Sequence, residues 1–363
     1  MKKLFMVFVL PGVVFQSIIV AGGYGTGQEL SVFFLSLGPR EGLLGLVLLP
    51  IPIISISAIL SFELARLHRA YDYRTFFRLL LGPAWWIWEI GFLGSLAIFF
   101  GLMGSAAGEI FLQTFGLPYA VGTLFLMFSI ALLVFWGSAL VEKVLSFWSG
   151  VLYLTYVFFF IWAFREFGEN IPRSLQMPAN EGNWVKNGTA YAALQLSMMP
   201  AVLFALHHIQ TRKQAIIAGC LVGPIAMIPG ILFYLIMLSQ YPAIKDIVLP
   251  SNYMLEALNA RWFQVFFQIV LIGTLVETGT GVIHAFNERL ASLYRARNRE
   301  MPRKLRPIAA VVLLIVASLL AKIGLVQLIM IAAQSFAWFF LLMFVGPLIT
   351  VGVYRIVRAS SQA

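Results

Sequence analysis

Long apolar stretches separated by short polar segments occupy most of the chain. Each stretch offers roughly the 20 mostly apolar residues that a helix needs to cross the hydrocarbon core of a bilayer. The two-residue alternation of a membrane β-barrel is absent from them, so their backbone must satisfy its hydrogen bonds within helices. The pattern predicts an all-α polytopic membrane protein of about ten transmembrane helices, numbered here as spans 1 to 10. The predicted spans cover residues 4–37, 43–67, 84–115, 118–136, 140–164, 189–207, 215–238, 262–290, 307–323 and 325–357.

Two of these spans contain helix-breaking residues near their middle. Four of the six residues from Gly22 to Gly27 in span 1 are glycines, and each costs a helix roughly 1 kcal/mol relative to alanine. Span 6 contains Pro200, which removes a backbone hydrogen bond and frees a carbonyl group. Unwound backbone at membrane depth is tolerated only where it is buried in protein or lines a cavity. We therefore predict that spans 1 and 6 are discontinuous; close packing of small residues and a simple kink are the alternatives.

The two breaks divide the chain into two halves of the same layout. One break lies in the first of five spans and the other in the first of the next five. Five spans that start inside must end outside, so the second half is inverted, as in many secondary transporters. We predict a first five-helix repeat at residues 1–166, an external connector at 167–188 and an inverted second repeat at 189–358. The connector and a second external segment, residues 240–261, are either lids or plain connections.

Basic residues are concentrated on one predicted side of the membrane. The chain has a formal net charge of +10, and most of its 25 lysines and arginines lie in loops on the side of the N-terminus. Since such loops stay in the cytoplasm, we expect a multi-pass protein of the cell (inner) membrane with both termini cytoplasmic. A composition of 61% hydrophobic and 11% charged residues makes the lipid bilayer a partner and disfavours nucleic acid. A signal peptide is the alternative for the first 21 residues, although its removal would destroy the repeat.

The breaks in spans 1 and 6 form the candidate substrate site. Carbonyl and amide groups of an unwound helix can bind an ion, an ammonium group or a carboxylate group. A polar pair, Gln28-Glu29, directly follows the glycines, which close packing alone does not require. The candidate substrate-binding residues are Gly22, Gly23, Tyr24, Gly25, Thr26, Gly27 and Gln28 of span 1 with Gln195 and Ser197 of span 6.

Span 8 carries an acidic residue surrounded by hydroxyl groups. A carboxylate in the hydrocarbon core costs about 2.5–3.5 kcal/mol or more and usually has a function. Oxygen ligands of this kind suit Na⁺, or the carboxyl group can hold a titratable proton. A structural acid paired with another helix is the alternative. The candidates for ion or proton coupling are Glu29 of span 1 and Thr274, Glu277, Thr278 and Thr280 of span 8.

No group of ionisable residues has the arrangement of a catalytic or metal site. His207 and His208 end span 6 at the membrane surface without metal-ligand spacing, and no nucleophile, base and acid occur together. We therefore expect no enzyme, no cofactor and no metal other than Na⁺, with Na⁺ or H⁺ as the coupling ion.

Three segments of the chain resemble a known family. Gly27-Gln28-Glu29 and the span 8 segment from Thr278 to Arg289 resemble the YkvI-type amino acid permeases, and Tyr191 to Leu196 is a looser match. These permeases belong to the amino acid–polyamine–organocation superfamily, which has the LeuT fold. The resemblance implies a bundle of spans 1, 2, 6 and 7 against a scaffold of spans 3, 4, 8 and 9, with substrate between spans 1, 6, 3 and 8.

The resemblance also implies an ion position between spans 1 and 8. That position falls near Ala21 to Tyr24 and Thr274 to Gly281, which makes Ala21 a further coupling candidate. Sodium sites between these helices commonly use neutral hydroxyl and carbonyl groups, whereas this chain adds Glu277. The difference favours proton coupling or a structural acid, with Na⁺ as the alternative.

These features together indicate a secondary active transporter. We expect symport of a small solute, an amino acid or related amine, with H⁺ or Na⁺ by alternating access. A nutrient sensor of the same fold would bind a ligand without transporting it. An ion channel would need a continuous polar pore, whereas the polar residues cluster at the midplane. The oligomeric state stays open.

Reporter fusions test the predicted orientation of the chain. Because the charge bias keeps both termini in the cytoplasm, a fluorescent protein fused after Ala363 should fluoresce and alkaline phosphatase fused there should be inactive. The same reporters inserted within residues 167–188 should give the opposite result. Phosphatase activity at the C-terminal fusion would contradict the orientation.

Overall fold

The protein, seen in a computed structural model, is described at residues 4–22, 24–136, 138–295, 302 and 305–361. Every regular element among these residues is a helix. Six helices are long and apolar enough to cross a membrane, and one bent pair adds a seventh span. The other predicted spans, 1, 4 and 9, correspond to shorter apolar helices. The prediction of an all-α polytopic membrane protein is confirmed.

The spans follow one another in the predicted order. Three further helices, Tyr73–Leu81, Ile171–Ser174 and Pro250–Ala257, lie in the connections. The bounds are Phe5–Val9, Leu10–Gly22 and Gln28–Phe33 (span 1), Pro39–Leu48 and Pro50–His68 (span 2), Trp85–Phe115 (span 3), Tyr119–Trp136 (span 4), Ser138–Phe167 (span 5), Trp184–Leu196 and Met199–His208 (span 6), Arg212–Ser239 (span 7), Arg261–Arg295 (span 8), Leu305–Ala321 (span 9), and consecutive segments from Leu325–Ile331 to Val353–Ser360 (span 10).

Side-chain caps explain where two helices begin. Span 7 begins with a capping box, in which Thr211 and Gln214 satisfy each other's backbone N–H groups. Span 6 begins at Trp184, earlier than the predicted Thr189, because the Asn183 side chain accepts a hydrogen bond from the Lys186 backbone N–H at 3.0 Å. The predicted connector at residues 167–188 therefore includes the first turn of span 6.

Span 1 is discontinuous at its glycines, as predicted. Its first half ends at Gly22, a short 3₁₀ turn covers Tyr24–Thr26, and its second half begins at Gln28. Gly27, between the turn and the second half, has a φ of 82°, a conformation in which glycine lacks the steric penalty of other residues. A Cβ atom on Gly27 would lie 2.6 Å from Cε1 of Phe233 and 2.9 Å from Cβ of Pro250. Both the backbone conformation and the packing of span 7 therefore require glycine.

Span 6 is also discontinuous, and its two halves have different helix types. The α-helix Trp184–Leu196 meets the 3₁₀-helix Met199–His208 at an angle of 59°. Pro200 stands in the first turn of the second half, where its missing N–H costs no helical hydrogen bond. A 3₁₀-helix of 10 residues is unusual, since such runs rarely exceed three or four residues. Pro200 thus marks the start of a second helix rather than a kink in one helix.

Span 10 contains wide turns that the apolar pattern did not predict. Three of its segments, Ala332–Phe336, Leu341–Val345 and Leu348–Gly352, are π-helical. Such turns insert an extra residue into the helix and occur frequently at functional sites. They rotate the side chains that follow relative to those of a regular helix.

The spans pack in two groups. Spans 6 and 7 each contact spans 1 and 2, and spans 3, 4, 8 and 9 contact one another. Close approach within the first group depends on glycines, because a Cβ atom on Gly223 of span 7 would lie 2.3 Å from the Ile51 carbonyl oxygen of span 2. The grouping is the bundle and scaffold that the family resemblance implies.

Large apolar side chains cover the outside of the helices. The exposed fractions are 74% for Leu154, 67% for Phe128 and 67% for Leu342. Water would disfavour such a surface, whereas acyl chains solvate it without cost. The surface therefore fits a lipid bilayer.

Alanine at Gly27 tests the requirement for glycine at the first break. Positive φ costs alanine about 1–2 kcal/mol, and the contact with Phe233 adds about 1–3 kcal/mol of overpacking. Gly116→Ala is the matched control, since Gly116 has a φ of 67° and a methyl group there would have no neighbouring atom within 4 Å. Thermal unfolding in detergent should show a larger loss of stability for Gly27→Ala. Equal losses for the two variants would contradict the packing argument.

Candidate functional site

A cavity lies where the two broken spans meet. It encloses about 470 Å³ of space, including its mouth, between spans 1, 3, 6 and 10. Most of its wall is apolar, with Ile18, Ile98, Phe99, Met198 and Phe336 among the lining residues. The polar lining residues are Glu29, Ser95, Gln195 and Ser197.

One hydrogen bond in the cavity wall joins the two breaks. The Gln195 Nε2 atom, next to the break in span 6, donates to Glu29 Oε2, next to the break in span 1, at 3.0 Å. Both residues are buried, with exposed fractions of 5% for Gln195 and 4% for Glu29. The polar face of the cavity is therefore built from the residues that follow or precede the two breaks.

The Glu29 carboxyl group has a neutral hydrogen-bond partner. Within the described part of the chain, the ion pair found is Glu63 with Arg66, and the cavity lining includes no lysine, arginine or histidine. Burying a carboxylate without a compensating positive charge is costly. A proton, a metal cation or a cationic group of a solute would each remove that cost.

The remaining polar groups of the first break bind to other parts of the protein. The Gly25 carbonyl oxygen accepts a hydrogen bond from the Tyr156 hydroxyl of span 5 at 3.1 Å. The Thr26 hydroxyl oxygen accepts one from the Gln28 backbone N–H at 3.3 Å. The Gln28 amide nitrogen, when turned toward them, donates to the carbonyl oxygens of Ile247 at 2.9 Å and Val248 at 3.0 Å.

These contacts place the predicted substrate residues in different surroundings. Gln195 and Ser197 line the cavity, together with Glu29, which was predicted as a coupling residue. Gly25, Thr26, Gly27 and Gln28 are buried in protein contacts outside that lining. Gly22 ends the first helical half. Gly23 lies outside the described residues, as do the side chains of Ala21 and Tyr24.

Connecting segments hold the second half of span 1 in place. The Ser31 hydroxyl donates to the Lys245 carbonyl oxygen at 3.1 Å, on the same loop that the Gln28 amide contacts. The Asn187 side chain donates to the Phe33 carbonyl oxygen at 2.8 Å, and the Asn180 side chain donates to that of Ser36 at 3.1 Å. Both predicted external segments therefore contact the second half of span 1.

The span 8 candidates lie away from this cavity. The Thr274 hydroxyl donates to the Val270 carbonyl oxygen at 2.9 Å, and the Thr280 hydroxyl donates to that of Val276 at 2.7 Å. Both hydroxyl groups are thus bonded to their own helix, with oxygen lone pairs left to accept. Glu277 and Thr278 are half-buried on the same helix.

A second polar region joins span 8 to spans 1 and 5. Glu277 lies within electrostatic reach of Tyr153, whose hydroxyl donates to Gln16 Oε1 at 3.1 Å. Gln16 is buried, with an exposed fraction of 7%. The sequence analysis missed both partners, although Gln16 and the adjacent Ser17 are polar residues in the apolar run before the glycines.

The cavity borders spans 1, 3, 6 and 10, and its described lining contains no residue of span 8; the substrate position implied by the resemblance stays a prediction. The middle of span 8 is filled by packing, because the Trp148 indole lies against Gly273 and Ile130 lies against Gly279. Span 10 reaches the cavity through Ala332 and Phe336, which begin and end its first π-helical turn. The wide turn brings both side chains to the cavity wall, and an apolar pattern carries no signal for it.

Comparison with known proteins shows the fold. No protein-family model matches the chain, and no curated protein matches it. Among solved structures, the chain is similar to the crystal structure of MhsT in complex with L-phenylalanine. The TM-score is 0.60 at 16% sequence identity, over 92% of this chain and 87% of that chain. The predicted LeuT fold is thereby confirmed, and membership of the YkvI-type permeases stays a prediction.

A double-mutant cycle tests the hydrogen bond between the two breaks. Gln195→Leu leaves the buried Glu29 carboxyl group without its partner and should lower the free energy of unfolding by about 1–3 kcal/mol. In a Glu29→Leu background, Gln195→Leu should lower the free energy of unfolding much less, because no buried carboxyl group then loses its hydrogen-bond partner. The free energies of unfolding of the four proteins are measured by denaturant titration in detergent micelles.

Gln113→Leu provides the matched control for this cycle. The Gln113 amide donates to Glu109 Oε2 at 2.8 Å on an exposed part of span 3, where loss of such a bond costs below about 1 kcal/mol. Additive effects of Gln195→Leu and Glu29→Leu would contradict the link between the breaks.

Proposed function

We propose that this protein is a secondary active transporter that moves a small solute, an amino acid or related amine, across the cell membrane by alternating access. One observation carries the proposal: a cavity at the junction of two discontinuous spans, whose polar lining includes residues beside both breaks, Glu29 and Gln195. Broken spans with a site between them are the arrangement of many secondary transporters. The similar structure of MhsT holds an amino acid, L-phenylalanine, which supports a solute of that size.

The contacts of span 1 support a gating role for its second half. Hydrogen bonds from Ser31 and Gln28 to the loop at residues 245–248 hold this half against one side of the protein. We propose that they break when the cavity opens to that side, and that the breaks at Gly27 and Pro200 absorb the change in backbone angle. Hinges of this kind need only a few residues at helix ends.

For coupling, we propose H⁺ or Na⁺ in symport, with no other cofactor. Glu29 and Glu277 are the proposed groups, assisted by Thr274, Thr278 and Thr280 and by the backbone at Ala21. Support for two separate groups comes from their positions, since Glu29 lines the cavity and Glu277 lies near Tyr153 and the first half of span 1. One broken span thus connects a solute site with a second acidic site.

Uptake by proteoliposomes tests these roles. We expect saturable counterflow of a radiolabelled amino acid or amine, and net uptake driven by a pH or Na⁺ gradient. Glu29→Gln should reduce counterflow at least about tenfold, equivalent to losing one charge-assisted interaction. Glu277→Gln should retain counterflow and weaken the dependence on the gradient, because exchange needs no net movement of the coupling ion.

Glu109→Gln is the control, since Glu109 lies in span 3 outside the cavity lining and should transport as the unaltered protein does. Unchanged uptake and unchanged pH dependence in both the Glu29 and Glu277 variants would show that the assigned roles are wrong. Ligand binding without counterflow would identify a sensor, and unitary currents would identify a channel.

A further inference from the structure

The cavity wall can bind a positive charge at one residue, Glu29, and is apolar over most of the rest. Glu29 is its acidic residue, and the described lining contains no basic residue. The Gln195 amide donates to Glu29 Oε2, which fixes the carboxyl group and leaves Oε1 to face another partner. The rest of the wall is aliphatic or aromatic, apart from Ser95 and Ser197.

The same wall offers few groups to a negative charge. The Gln195 amide is engaged with Glu29, and the Ser95 hydroxyl donates to the Phe92 carbonyl oxygen at 2.8 Å. Among the side chains of the described lining, the Ser197 hydroxyl is the donor that remains. A carboxylate buried against side chains with so few donors would lose much of its hydration without a comparable gain.

These two properties separate amines from amino acids. A solute ammonium group next to Glu29 would form an ion pair with a carboxylate that the neutral Gln195 amide already holds in position. Such charge-assisted hydrogen bonds are about twice as strong as neutral ones. The carboxylate of a zwitterion gains no comparable partner among the side chains of the wall. A second ammonium group, as in a diamine, would have to be buried against apolar side chains, which is also costly.

We propose that the preferred solute is a primary amine with one positive charge and an apolar body. Its ammonium group binds the Glu29 carboxylate, and its hydrocarbon part packs against Phe99, Met198 and Phe336. Gln195 is a positioning residue that holds the carboxylate toward the cavity. This inference rests on the proposed function and names the substrate class of the same site.

Four probes that differ mainly in charge test this class. They are phenethylamine (cation), L-phenylalanine (zwitterion), 3-phenylpropionate (anion) and putrescine (dication). Binding to the purified full-length chain is measured by ligand-induced thermal stabilisation and by calorimetry, since a ligand of the folded state raises its stability. Phenethylamine should bind at least about tenfold more tightly than L-phenylalanine, and the anion and the dication more weakly than both.

Charge removal at Glu29 provides the second arm. Glu29→Gln should weaken phenethylamine binding at least about tenfold and bring it close to that of L-phenylalanine. Glu109→Gln, the same change outside the cavity lining, should leave all four affinities unchanged. Should Glu29→Gln fail to fold, Glu29→Asp keeps the charge and the probe series on the unaltered protein decides the question.

The outcomes separate this inference from the proposed function. Tighter or equal binding of L-phenylalanine overturns the amine class, and counterflow of that amino acid would then still support a transporter. Absence of binding by all four probes also overturns the amine class. Binding of phenethylamine without counterflow supports the site assignment and overturns transport.

Discussion

The structure depends on one constraint, which is that backbone freed from a helix inside a membrane must find its hydrogen-bond partners within the protein. At the first break, Tyr156 of span 5 binds the Gly25 carbonyl group and Thr26 binds the N–H of Gln28. Gly27 adopts a left-handed conformation against Phe233, so the second half of the span can begin anew. Because Tyr156 and Phe233 come from spans 5 and 7, tertiary contacts maintain the break in span 1.

That arrangement places a carboxyl group where the rest of the wall is apolar. Glu29 is the second residue of the new helix, and the Gln195 amide of the other broken span reaches it. In such surroundings charge decides what binds, because each unmatched charge loses hydration and each matched one gains a strong hydrogen bond. In the proposed transporter, the apolar wall from spans 3 and 10 would set the shape of the neutral part of a solute.

The broken first span also links two polar regions. Its first half carries Gln16, which accepts a hydrogen bond from Tyr153 near Glu277, and its second half carries Glu29. A movement of either half relative to spans 5 and 8 would change both regions together. In the proposed transporter, an allosteric relation between solute and ion would need an element that both sites can bias, and we propose span 1 as that element.

Local signals were enough to predict the ten spans, both breaks and the acid beside the first one, because apolar length, glycine clusters and proline act on the backbone of the segment that contains them. They could not show that the neighbouring residues Gln28 and Glu29 have different surroundings. The Gln28 side chain contacts a loop, whereas Glu29 lines the cavity. Nor could they find Ser95 or the π-helical turn that carries Phe336 to the wall. Amino-acid sequence alone determined where helices must stop in the membrane. Tertiary structure decided which side chains face the same space, since that depends on the rotation and packing of spans far apart in the chain.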